Sequence, residues 1–154
     1  MHILLTRPLE DSYNMILKFK SLGHHISHLP LIEINQLIHE DINYNDFNGI
    51  IFTSSNAIKF LKIKNIDKKK ICFCVGSMTE KKARSEGFQN VISAEGNVEN
   101  LKELIIRNYE PIKGKLLYVS GDTITKNLDE ELTLLGYSVK RIINYSSKQL
   151  QKID

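Results

Sequence analysis

Four short polar stretches stand directly after apolar runs: Thr53-Ser54-Ser55-Asn56, Gly76-Ser77-Met78-Thr79, Glu95-Gly96-Asn97 and Ser120-Gly121-Asp122. Hydroxyls, amides and glycines dominate them. At a strand end that feeds a helix, such residues do one of two things. They cap the helix and tighten the turn. Alternatively, their backbone N–H groups and hydroxyls form a lip of donors that holds a polyanion. The pattern leaves both readings open.

Other side chains add further chemistry. Tyr145 follows the last apolar run in a polar setting. A phenol held in a cleft can act as an acid toward a leaving hydroxyl, although a tyrosine at such a place commonly only packs. His24, His25 and His28 are close in sequence, but strand alternation splits them between two faces. No carboxylate pattern supports them as a metal site, and none is expected. Cys72 and Cys74 lie two apart between Ile71, Phe73 and Val75. They are too close for an ordinary framework disulfide and read as buried core thiols.

Several phosphate-binding classes are disfavoured. No Gly-Lys-Ser/Thr turn of a P-loop is present, and no Gly-x-Gly-x-x-Gly follows the first strand. Where a phosphoacceptor receiver carries acids, Thr6-Arg7 and Thr53-Ser54 stand instead.

The elements that must position these groups alternate. Strands are predicted at His2–Leu5, His25–Leu29, Ile50–Phe52, Ile71–Val75, Asn90–Ser93, Leu116–Val119 and Tyr137–Ile143. Helical spacing is predicted over Glu10–Leu22, from Ser54 or Ser55 to Leu61, and over Met78–Glu86, Val98–Tyr109 and Thr123–Leu135. Leu31–Ile34 continues extended, and 41–48 is a polar loop. The basic run 62–70 reads as a solvated helix end, and 145–154 as a polar, turn-like tail. Strict alternation from Gly49 onward implies a parallel sheet with helices on both faces. The segment from Pro30 to Asn48 sets the first strand–helix–strand unit apart, in a sheet of its own.

The chain has 154 residues, 42% hydrophobic and 25% charged, which suits a folded α/β protein. Its net charge of +3 comes from 21 Lys+Arg against 18 Asp+Glu. That mild excess fits an acidic small molecule and does not demand nucleic acid. No signal peptide or membrane-length apolar span is visible, so a reducing cytoplasm is expected.

Taken together, the order and spacing of the short motifs resemble uroporphyrinogen-III synthase, of tetrapyrrole biosynthesis. The matching pieces begin with Leu5-Thr6-Arg7-Pro8, Leu29-Pro30-Leu31-Ile32-Glu33-Ile34 and Ile51-Phe52-Thr53-Ser54-Ser55-Asn56-Ala57. Val75-Gly76 with Thr79, Ala83 and Gly87-Phe88 comes next, then Glu95-Gly96-Asn97 with Leu101. Gly114-Lys115-Leu116-Leu117-Tyr118-Val119, Gly121, Leu132, Gly136-Tyr137 and Tyr145 complete the set.

The resemblance implies two α/β domains of flavodoxin-like, three-layer type, joined by a two-stranded linker around a cleft. On that template residues 1–33 begin the first domain, 34–144 form the whole second domain, and 145–154 start the return. The first domain would be partial, and self-association would be one consequence of its uncovered apolar strands. The family is otherwise monomeric. Departures from the pattern are Ser120, where many members carry Arg, and Glu80, where a small residue is common.

The implied reaction uses no cofactor or metal. Hydroxymethylbilane loses water, its last pyrrole ring inverts, and the macrocycle closes to uroporphyrinogen III. The resemblance makes Tyr145 the acid for the departing hydroxyl. It makes Arg7, Thr53, Ser54, Ser55, Asn56, Gly76, Ser77, Met78, Thr79 and Gly121 the substrate-binding set. The alternative is a non-catalytic remnant or binding module of the same fold that needs a partner chain. An unrelated flavodoxin-like nucleotide binder is a weaker reading, since the phosphate loops are missing.

Overall fold

The alternation of apolar runs and helix-spaced segments produces strands and helices that fall into two contact units in the computed structural model, which describes residues 1–150. One unit comprises Met1–Asn35 with the chain from Ser146 onward, and the other comprises Gln36–Tyr145.

In the first unit, β1 (His2–Leu5) is followed by α1 (Leu9–Ser21) and β2 (His25–His28). β1 and β2 pair in parallel, from His2 opposite His25 to Leu5 opposite His28. This is a sheet of its own, in line with the isolated strand–helix–strand pattern. α1 starts right after Pro8, whose ring suits a helix entrance. Glu10 and Asp11 lie in its first turn and Lys18 and Lys20 in its last, each favourable to the helix dipole. Ser12 is buried, whereas Leu4, Leu17 and Leu22 are each more than half exposed.

β3 (Ile32–Gln36) passes into the second unit. There the chain runs through β4 (Gly49–Phe52), α2 (Ser55–Lys59), β5 (Ile71–Val75), α3 (Ser77–Ser85), β6 (Asn90–Ala94) and α4 (Val98–Asn108). It ends with β7 (Leu116–Gly121), α5 (Leu128–Leu134) and β8 (Val139–Gln149). The strand order is β3-β8-β7-β4-β5-β6, and every pairing from β8 to β6 is parallel. β3 is the exception. The Leu37 N–H donates to the Asn144 carbonyl (2.9 Å) and the Leu150 N–H to the Leu31 carbonyl (2.8 Å), a register that only antiparallel strands allow.

β4 and β7 are buried along their whole lengths because helices cover both faces of the sheet. On one face Ile51, Phe73, Leu116 and Tyr118 pack with Leu101 and Ile105 of α4 and Leu128 and Leu132 of α5. On the other face, Phe52 meets Phe88 edge-on at 5.9 Å, and Ala57, Ile58 and Ala83 are completely buried. Each large aliphatic or aromatic side chain so buried contributes about 1.5–3 kcal/mol.

Three boundaries differ from the sequence reading. α2 ends at Lys59, and the basic run after it forms a 3₁₀ turn at Ile63–Asn65. It is not a solvated helix end: Lys68 Nζ donates to the carbonyls of Ile63 (2.5 Å) and Ile66 (3.1 Å), and Lys70 Nζ to that of Tyr44. α5 starts at Leu128, five residues after the predicted Thr123. β8 extends to Gln149, past the predicted end at Ile143. Its polar half finds backbone partners on β3, which hydrophobic periodicity does not reveal. The expected return segment is therefore strand as far as Gln149, and its residues 151–154 lie outside the described residues.

Candidate functional site

In the second unit, β4 is followed in space by β5 and β6 on one side and by β7 and β8 on the other. The strand order thus reverses between β4 and β7. Crevices of open parallel sheets form outside the carboxyl ends of strands at such a reversal. The residues that emerge there are Thr53–Asn56 after β4 and Ser120–Asp122 at the end of β7.

The four polar turns prove unequal. Asn97 and Asn100 form a reciprocal capping box at the start of α4, with N–H to side-chain oxygen distances of 3.0 and 3.3 Å. That turn uses its own donors, and the capping reading holds for it. Ser54 caps α2, its Oγ accepting from the Asn56 N–H at 3.2 Å. Thr53 is half-buried and hydrogen-bonded to the Tyr118 hydroxyl.

The turn before α3 is more open. Gly76 is the N-cap with φ 85°, a left-handed conformation that glycine adopts without strain. It has no side chain with which to occupy the N–H groups of the first turn, where Ser77 and Met78 are exposed. Thr79, expected to contact ligand, is 4% exposed and lies within the fold.

At the end of β7, Ser120 Oγ donates to the Gly121 carbonyl (3.0 Å) and accepts from Arg141 Nε (2.7 Å). Arg141 Nη2 donates to the same Gly121 carbonyl at 2.8 Å.

Tyr145 is a strand residue, not part of a polar turn after the last strand. The β7–β8 register slips at this point: Ser120 faces Ile143, but Gly121 faces Tyr145. Asn144 is the extra residue of a β-bulge, a device that re-aims the side chains around it. Both Asn144 and Tyr145 then turn toward α2. Asn144 is fully buried, and its Nδ2 donates to the Ala57 carbonyl at 2.8 Å. Its Oδ1 is buried without a hydrogen-bond partner among the described residues. The Tyr145 ring lies 6.5 Å from that of Phe60, and its carbonyl accepts from the Asp122 N–H at 3.0 Å. Gly121 leaves room for it: a β-carbon there would stand 2.6 Å from Tyr145 Cε2, and the ring would have to shift.

Tyr118, behind this edge, is 1% exposed. Burial pushes its phenol above the ordinary tyrosine value, while the Thr53 hydrogen bond and the Arg141 charge act in the opposite direction. The sequence pattern alone does not mark Arg141, Tyr118 or Asn144 as site residues. One signal was available: a charged residue at 141 interrupts an apolar strand pattern.

Arg7 lies in the first unit and is exposed. Its carbonyl accepts from His28 Nε2 (2.7 Å) and Ser12 Oγ (3.3 Å), so the local turn uses its backbone and leaves its guanidinium out of these bonds. Cys72 and Cys74 are buried free thiols with sulfurs 3.7 Å apart, as their apolar neighbours suggested. Among the described residues, no three His, Cys, Asp or Glu side chains come together to hold a metal. No helix among them is long and apolar enough to cross a membrane.

The profile of the family described as Uroporphyrinogen-III synthase HemD matches residues 14–153. The chain belongs to the uroporphyrinogen-III synthase family.

Solved structures agree at the level of fold. A uroporphyrinogen-III synthetase from Helicobacter pylori superposes with a TM-score of 0.60 at 22% identity, covering 83% of this chain and 58% of that one. A mutant uroporphyrinogen III synthase from the extremely thermophilic bacterium Thermus thermophilus superposes with a TM-score of 0.62 at 13% identity, covering 97% of this chain and 64% of that one. The chain thus spans less than two thirds of either synthase. No curated protein matches it. In this member of the synthase family, Ser120 stands before Gly121, and Arg141 brings a guanidinium to the same place from the neighbouring strand.

Proposed function

We propose that the chain acts as a uroporphyrinogen-III synthase, closing hydroxymethylbilane to uroporphyrinogen III in heme biosynthesis. The observation that carries this reading is the seating of Tyr145 on Gly121 at the carboxyl edge of the second unit's sheet. Its support is the family match over residues 14–153.

The substrate bears acetate and propionate groups. The Thr53–Asn56 turn and the exposed Gly76–Met78 start of α3 hold them through N–H and hydroxyl donors. Tyr145 donates a proton to the hydroxyl of the hydroxymethyl group, which leaves as water and produces an azafulvene. Closure through a spiro intermediate inverts the last ring. The proton released as that ring regains aromaticity balances the one Tyr145 gave. No cofactor enters this scheme. The protein's main contribution is to hold a flexible chain so that inverting closure outruns simple closure. In this proposal residues 34–144 act as one domain, and 1–33 with the chain from 145 belong to another.

The test is direct. Purified protein is mixed with freshly prepared hydroxymethylbilane and the macrocycles are separated by isomer. Formation of isomer III is expected, with Tyr145→Phe slowing it by about a hundredfold or more. If only isomer I forms, as without protein, the reading is wrong. If Tyr145→Phe matches the parent, the tyrosine is not the acid.

A further inference from the structure

Arg141 faces Tyr118 across the β7–β8 ladder, and its side chain runs forward to the end of β7. There Nε is bonded to Ser120 Oγ at 2.7 Å and Nη2 to the Gly121 carbonyl at 2.8 Å. Both partners are neutral. Among the described residues Arg141 ion-pairs with no carboxylate. It is nonetheless half-buried. Drawing a guanidinium partly out of water without a counter-charge costs free energy that an anion arriving from solvent would offset.

The placement is fixed as well as uncompensated. Two hydrogen bonds lock the plane of the guanidinium, so little further side-chain order is lost when an anion binds. Its remaining N–H groups have no protein partner among the described residues. The Gly121 carbonyl that it grips belongs to the residue on which Tyr145 rests. Arg141 therefore marks an anion position beside the Tyr145 ring.

We infer that Arg141 is a carboxylate anchor: it binds one acetate or propionate of the tetrapyrrole and sets that ring against Tyr145. The inference rests on the proposed function for the identity of the ligand. Ser120 and Gly121 orient the guanidinium, and the carboxylate completes its pairing. Among the second-unit residues expected to bind, hydroxyls and backbone N–H groups can orient a carboxylate but cannot neutralise it. Arg141 supplies a positive charge at this edge.

Uroporphyrin III, the stable oxidised macrocycle with the same carboxylates, is the probe. Its binding to the full chain is followed by fluorescence, for the parent, Arg141→Gln and Arg141→Lys, at low and high salt. Arg141→Gln is expected to weaken binding about tenfold at low salt, with the difference shrinking as salt screens the charge. Arg141→Lys should recover part of the loss, because it restores charge without the planar fork. The octamethyl ester, which has no charge to pair, should not distinguish parent from Gln. A merely structural role would move ester and acid alike and would not respond to salt.

Equal affinity of parent and Arg141→Gln for the acid overturns the inference. A parent that binds no uroporphyrin also overturns it. A parent that binds the acid but yields only isomer I from hydroxymethylbilane removes the proposed catalysis, and the Gln comparison still decides the anchor.

Discussion

The ring of Tyr145 lies against the bare α-carbon of Gly121, so close that a β-carbon there would stand 2.6 Å from Cε2 and 2.7 Å from Cζ. Gly121 and Tyr145 are opposite each other only because the bulge at Asn144 slips the register by one residue. A glycine on one strand and an extra residue on the next thus cooperate to seat one phenol.

Gly121→Ala should unseat that ring. The added methyl meets the distal ring atoms of buried Tyr145, an overpacking that costs about 1–3 kcal/mol. Urea unfolding should show the loss, and any isomer III formation should fall with it. Combining Gly121→Ala with Tyr145→Ala should recover stability relative to the sum of the two single changes. Strict additivity would mean that the contact is unimportant.

Asn144 fastens the bulge to α2 through its bond to the Ala57 carbonyl. Asn144→Ala should destabilise the fold by about 1–3 kcal/mol, since a buried carbonyl loses its partner. An unchanged unfolding midpoint would show that the bulge holds its shape without the amide.

The capping box of α4 should be worth about 1 kcal/mol, measured as the loss on Asn97→Ala. This change lies in a turn whose donors are already paired, so uroporphyrin affinity should not move. If affinity falls sharply, the turn contacts ligand after all.

Stability should decline in alkali. The Cys74 hydrogen bond and burial raise the Cys72 thiol above its ordinary value, and burial raises the Tyr118 phenol. Both groups keep their protons in the folded chain at a pH where the unfolded chain has released them. The stability they contribute is complete below the ordinary thiol value of about 8.5. It falls at higher pH by about 1.4 kcal/mol per pH unit for each group ionised only on unfolding. Urea midpoints compared between pH 8 and 10.5 should show the decline. A flat profile would mean that neither proton is held.

Much of the fold was legible in the residues alone. Ile50–Phe52, Cys72–Cys74 and Leu116–Val119 are continuous apolar runs, which only a strand covered on both faces tolerates. The helix spacing of α4 and the cap at Asn97 are equally local signals. The strand-end turns could be placed because each follows its strand directly in the chain.

What those turns do was not local. Asn97 closes its own helix while Gly76 leaves α3 uncapped, and only the assembled turns separate the two. In the sequence Tyr145 opens a polar, turn-like tail. Tertiary structure alone made that tail a strand, because 145–149 take their hydrogen bonds from residues remote in the sequence. The slipped register, the burial of Asn144 and the reach of Arg141 to Ser120 have the same origin. The chain by itself determined which segments are strands, helices and polar turns, since each depends on neighbours a few residues away. Which of those residues meet at one sheet edge depended on pairing across 20 residues or more between β7 and β8, and that is settled only when the sheet assembles.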